Sequence, residues 1–146
     1  MGPLLRLGDT VCVRAFQSAV GCVNAERAAP AWTKNVGGAQ ALGGDAELVF
    51  GADATDRITA WRTANGEVAW TSEAFLHRGL SGPLSVGKTV VFGDREGQVH
   101  FLSRADGQTL LRLATNGSPV VGTPVLTGTT ILVVTRNGGL FGFRPE

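Results

Sequence analysis

The stretch VVFGDREGQVHFLSRADGQTLL, residues 90–111, sets three apolar runs apart with Asp-Arg-Glu-Gly and Ala-Asp-Gly. Each spacer is the length and composition of a tight turn. Gly97 and Gly107 supply the positive φ that such turns need, and the Asp94 side chain can bond to the backbone ahead of it. His100 alternates with Val99 and Phe101 along the middle run, so it faces away from both. The stretch reads as strand, turn, strand, turn, strand.

The pattern recurs. TILVVTRNGGLFGFRPE (130–146) places Gly138 over Gly97 and Leu140 over Val99, and Gly128 falls over Gly87, each 41 residues on. Upstream, ELVFGADATDRITAWRTANGEVAW (47–70) fits the same template, with Gly66 lying 41 residues before Gly107. There Val49-Phe50-Gly51 aligns with Val91-Phe92-Gly93, which requires a loop one residue longer. A weaker copy, VCVRAFQSAVGCVNAERAAPAW (11–32), brings Trp32 over Trp70 but lacks the closing glycine. A period near 41 is that of a four-stranded β-propeller blade. Strands are predicted over 82–86, 88–93, 98–104 and 108–113, and SEAFLHRGL (72–80) is an inter-blade loop that Gly79 and Gly82 keep from becoming a helix. The expected fold is all-β, a partial propeller of three to four four-stranded antiparallel blades. Its units are 8–40, 41–81, 82–122 and an incomplete 123–146. Leucine-rich repeats are too short for this period, HEAT repeats need long helical patterns, and the Trp-Asp pair of WD repeats is absent.

Composition narrows the function. The 146 residues suit one ordinary domain, and 43% hydrophobic content can fill its core. A net charge of +1 without a basic block gives no nucleic-acid footprint. No apolar run approaches the roughly 20 residues of a membrane span. The opening MGPLLRLGDTVCVRAF lacks a signal peptide's apolar core, and Pro3 with Arg6 argues against myristoylation. Read as it stands, the chain is soluble and untargeted; an exported parent would carry its signal elsewhere. Cys12 and Cys22 are too far apart for a redox Cys-x-x-Cys and too few for zinc. They fall on consecutive strands, as either a cross-hairpin disulfide or two small buried side chains.

The chemical readings of the opening stretch fail on context. GDREGQ is followed by a strand, where a phosphate loop or dinucleotide fingerprint requires a helix. Asp94 with Glu96, or Asp53 with Asp56, lacks the run of alternating ligands of a calcium loop, so these are expected to be exposed turn carboxylates. His77, in the loop EAFLHRG, and His100 show no sequence tie to an orienting acid or a nucleophile. Trp32, Trp61 and Trp70 suit core packing between blades better than a stacking platform. No catalytic, cofactor or metal residue is predicted, and the chain is not expected to be an enzyme.

AWRTANGEVAW (60–70) and its variant HFLSRADGQTLL (100–111) resemble the pyrroloquinoline-quinone-like propeller repeat. The longer run 72–111, with its LHR loop at 76–78 and its GDREG turn, and the following 122–143 resemble the C-terminal portion of the BamB family of outer-membrane β-barrel assembly lipoproteins. The resemblance implies an eight-bladed, non-enzymatic scaffold without a cofactor. It implies a lipid anchor at the periplasmic face of the outer membrane and binding to the periplasmic POTRA domains of BamA. The lipobox cysteine is missing here, and the repeats make under half a ring. An open half-ring leaves flanks and strand edges that favour self-association. The loops 72–80 and 114–121 are candidate partner surfaces by location; no partner-binding residue is assigned. The other readings are a fragment of a quinoprotein dehydrogenase and a generic propeller binding or sensor module.

Overall fold

The computed structural model describes residues 5–15, 19–27, 29–38 and 40–144. The expectations about the N-terminal MGPL therefore lie outside the described residues. The chain divides into two compact units, Met1–Leu76 and His77–Glu146. All regular elements described are strands.

The first unit holds two four-stranded antiparallel meanders. One runs through β1 (Leu5–Leu7), β2 (Thr10–Ala15), β3 (Ala19–Asn24) and β4 (Ala29–Lys34). The other runs through β5 (Gly43–Gly44), β6 (Leu48–Ala52), β7 (Ile58–Arg62) and β8 (Val68–Ser72). The second unit holds a four-stranded meander, β9 (Leu84–Val86), β10 (Thr89–Gly93), β11 (Gln98–Ser103) and β12 (Thr109–Ala114). Its second sheet is three-stranded: β13 (Val120–Thr127), β14 (Thr130–Thr135) and β15 (Leu140–Phe143).

The turns between second and third strands repeat bond for bond. Asp53 N–H donates to the Arg57 carbonyl, Asp94 N–H to that of Gln98, and Thr135 N–H to that of Gly139. The first side chain caps the amide two residues into the third strand's approach: Asp53 Oδ1 accepts from Arg57, Asp94 Oδ1 from Gln98, and Thr135 Oγ1 from Gly139. The position before that amide is left-handed each time, with φ of +69° at Asp56, +81° at Gly97 and +92° at Gly138. Aspartate tolerates this region better than most side chains do. The Asp56 turn is therefore no longer than the others, which corrects the sequence alignment. Phe50 pairs with Ala60 and Val91 with Phe101, so Phe50 corresponds to Val91 and the offset stays at 41. Matching Val-Phe-Gly letters had drawn the register one residue out.

Trp32 and Trp61, which share a core cluster of the first unit, come from different sheets. Trp32 of β4 lies 6.2 Å from Trp61 of β7, ring centre to ring centre, and its Nε1–H donates to the Thr63 carbonyl at 2.8 Å. Gly66 is required beneath it, because a Cβ there would come within 2.6 Å of the indole. Trp70 packs on Phe50 at 5.8 Å within its own sheet. In the second unit the position of Trp70 is held by Leu111, opposite Phe101. The aromatic that reaches the neighbouring sheet is now Phe101 of β11, edge-on to Phe143 at 6.3 Å. An apolar groove of about 240 Å³ remains beside them, lined in part by Leu110, Leu111, Leu113 and Ile131.

Candidate functional site

The turn repeat brings one carboxylate into an unusual setting. Asp94 directly follows β10 and shares a face with Phe92 two residues before it; Phe92 pairs with His100 across the hairpin. A tight turn therefore delivers the imidazole to the carboxylate. His100 Nε2 lies 2.8 Å from Asp94 Oδ2, and the Phe92 ring packs 5.4 Å from the imidazole. The same Oδ2 accepts from Arg78 Nε at 3.1 Å, and Arg78 Nη2 lies 3.0 Å from it. Oδ1 is filled by the amides of Glu96 and Gln98. Asp94 is completely buried, at 0% exposure, and His100 nearly so at 1%. The expectation of an exposed turn carboxylate is thus incorrect for Asp94, and an acid that no sequence motif tied to His100 lies against it. The lettering of the turn was right, but burial depends on the loop that covers it.

That loop follows β8. Its second half, from His77 onward, is fastened to the β10–β11 turn. Arg95 N–H donates to the Arg78 carbonyl, Arg95 Nη2 donates to the His77 carbonyl at 2.6 Å, and Ser81 N–H donates to the Gly93 carbonyl. The bond from Arg95 to Arg78 recurs as Arg136 N–H to the Pro119 carbonyl, so this stitching belongs to the repeat. Leu80 is buried, whereas His77 is exposed in a left-handed conformation, φ +62°. The second candidate loop, 114–121, is held likewise: Thr115 bonds to the Gly97 carbonyl through both its N–H and its hydroxyl, and Asn116 Nδ2 donates to Asn137 Oδ1. Both loops in this unit present fixed surfaces around the β10–β11 turn.

The electrostatics suit a lock. Burial alone would raise the Asp94 carboxyl, but hydrogen bonds from His100, Gln98, Arg78 and Glu96 hold it below the usual carboxylate range. Burial lowers the His100 imidazole, with Arg78 and Arg112 adding to this and Asp94 opposing it. An ionised carboxylate only accepts, so neutral His100 carries its proton on Nε2. Nε2 is committed to Asp94 and Nδ1 is buried, so no substrate reaches either ring nitrogen. Asp53, the counterpart of Asp94, is half-buried and caps its own turn, with Arg57 Nη1 3.7 Å away. Of the other positions weighed from the sequence, His77 and Glu96 lie at the surface. Among the described residues no three His, Cys, Asp or Glu side chains cluster as a metal site would need.

Both groups titrate lower in the folded state, so acidification weakens the fold in two stages. The unfolded chain takes up a proton at His100 near pH ~6.5, while the folded imidazole stays neutral to lower pH. Stability is therefore lost as pH falls through the folded value, and Asp94 adds a loss of the same sign below about pH 4. Urea midpoints measured from pH 8 to 4 should begin to fall as the pH drops below about 6.5. His100→Gln keeps an N–H for Asp94 and should flatten that first stage; an unchanged profile would remove His100 from the account.

Short antiparallel meanders, turned at regularly spaced left-handed residues and stitched loop to turn, define the class: this is a β-propeller repeat protein. Residues 1–72 and 74–146 match the family described as "Outer membrane protein assembly factor BamB", and the chain belongs to that family. It is 37% identical over 140 residues to the outer membrane protein assembly factor BamB of Burkholderia pseudomallei, covering 96% of this chain and 37% of that protein. The crystal structure of BamB from Moraxella catarrhalis superposes with a TM-score of 0.90 at 18% identity, over 98% of this chain and 42% of that one. The quinohemoprotein alcohol dehydrogenase from Comamonas testosteroni reaches a TM-score of 0.63 at 15% identity, over 75% of this chain and 20% of that one, a likeness of fold alone. The chain thus spans about two-fifths of the length of its BamB relatives.

Proposed function

We propose that this chain is part of a non-enzymatic scaffold subunit of the outer-membrane β-barrel assembly machinery, which in its full-length form binds the periplasmic POTRA domains of BamA. Family membership is the observation that carries the reading. Two structural features agree with it. The buried Asp94–His100 pair is closed to substrate, and the polar contacts of the second unit go into fixing loops, as a protein-binding surface requires. Placement at the periplasmic face of the outer membrane, through a lipid anchor on the parent, follows from the same reading. The Cys12–Cys22 disulfide suits that oxidising compartment. The dehydrogenase alternative has only a shared fold behind it.

Self-association is the second part of the proposal. Among the described residues β15 pairs only with β14, and Leu140 on it is 65% exposed. An open edge with exposed apolar side chains recruits another strand. Full-length parent should retain BamA periplasmic domains in a pulldown, and light scattering should find the present chain as a dimer or larger. Failure of binding between two demonstrably folded partners would sink the scaffold reading; a well-folded monomer at high concentration would sink the second.

A further inference from the structure

Cys12 and Cys22 face each other across β2 and β3 and are joined as a disulfide. Their position has counterparts in the next two sheets. A cross-strand pair with the same neighbours is Phe50 with Ala60 in the second sheet and Val91 with Phe101 in the third. In each case the register slips immediately afterwards, between Cys22 and Val23, Ala60 and Trp61, Phe101 and Leu102. In those two sheets this central pair holds its strands by apolar packing, with an aromatic ring on one side. Two cysteines bury far less apolar surface, and a covalent bond takes over the task.

Both cysteines are sealed from solvent, at 0% and 1% exposure. They share a core cluster with Val20, Trp32, Leu42, Val49 and Trp61. Val49 and Trp61 belong to the second sheet, so the cover over the sulfurs is complete only when the two sheets of the first unit have packed together. Thiol–disulfide exchange needs a thiolate to reach a sulfur directly. Neither an oxidant nor a reductant has that access in the folded unit.

We infer that the Cys12–Cys22 bond is a structural staple made before the first sheet closes against the second, by a disulfide-bearing thiol oxidant, and afterwards shielded from reduction. One cysteine thiolate attacks the oxidant's disulfide, forming a mixed disulfide and releasing one oxidant thiolate. The second cysteine thiolate then attacks the mixed disulfide, closes the Cys12–Cys22 bond and expels the other oxidant thiolate. Two electrons pass to the oxidant, and the two cysteine protons are released to solvent or taken up by its thiolates. The upstream step is therefore protein thiol oxidation, ahead of packing. This stands apart from the scaffold reading, since it concerns folding of the first unit alone.

The test uses the intact chain expressed with export to an oxidising compartment. Alkylation in denaturant without reductant should find no free thiol, and native protein in dithiothreitol should be reduced at least ~100-fold more slowly than in urea. When reduced, unfolded chain is returned to native buffer, oxidised glutathione present from the start should close the bond faster than glutathione added after refolding. Two free thiols in the exported protein, equal reduction rates with and without urea, or equal closure whenever the oxidant is added would each overturn the inference.

Discussion

Asp94→Ala is expected to lower the unfolding free energy by about 3–5 kcal/mol, with a fall in Tm of ~10 °C. The substitution removes the acceptor for four donors at once: the amides of Glu96 and Gln98, Arg78 and His100. Two consequences follow. The β10–β11 turn loses its cap, and His100, 1% exposed, is left with its Nε2–H facing a void. Asp94→Asn separates the two effects. Its Oδ1 still caps the turn, but its amide N–H₂ then meets the donors of His100 and Arg78, so an intermediate loss is expected. Arg78→Ala should cost less than either, because that side chain is 31% exposed and water can replace it. Urea unfolding of the three variants gives the order; Asp94→Ala within 1 kcal/mol of the parent protein, on the ~3–5 kcal/mol scale of buried pairs, would show that the lock contributes little.

A loss of similar size is expected for Trp32→Ala, about 3–5 kcal/mol. Its indole shares a core cluster with the disulfide, packs tilted against Trp61 and fills the space above Gly66, so truncation opens a cavity that the glycine turn cannot fill. The Thr63 carbonyl also loses its donor in a buried setting. Trp32→Phe isolates that hydrogen bond from the packing and should cost roughly 1–2 kcal/mol. Denaturant titration with an unchanged m-value would assign the change to the folded state. Equal losses for Trp32→Phe and Trp32→Ala would instead make the Nε1 bond, not ring packing, the main contribution.

Both variants act where sequence reasoning was incomplete, for a physical reason that can be stated. The 41-residue period, the strand-and-turn alternation and the left-handed glycines were legible, since turn chemistry is local to four or five residues. Asp94 was rightly placed as a turn former. Its burial was not legible, because Arg78 and the loop that carries it come from 16 residues earlier in the chain. A signal did exist: with Asp94 bonded to Gln98 across the three residues 95–97, Phe92 pairs with His100, which puts acid and imidazole on one face. The alignment of Val49-Phe50-Gly51 went astray for the opposite reason. Letter identity was followed where hydrogen-bond register decides, and Asp56 filled a left-handed position that was expected to need glycine or an added residue.

The opening stretch 90–111 shows where the division falls. Sequence by itself determined that it turns at Asp94–Gly97 and again before Gly107, that it repeats, and that its family is an assembly factor's. Those properties depend on side-chain volume, φ preference and spacing, which each residue carries with it. Tertiary structure alone decided that Asp94 is enclosed and ionised beneath Arg78, that Trp32 spans two sheets, and that Cys12 bonds to Cys22. Each of these depends on which distant segment comes to cover the group, and dielectric, access and packing are properties of that cover.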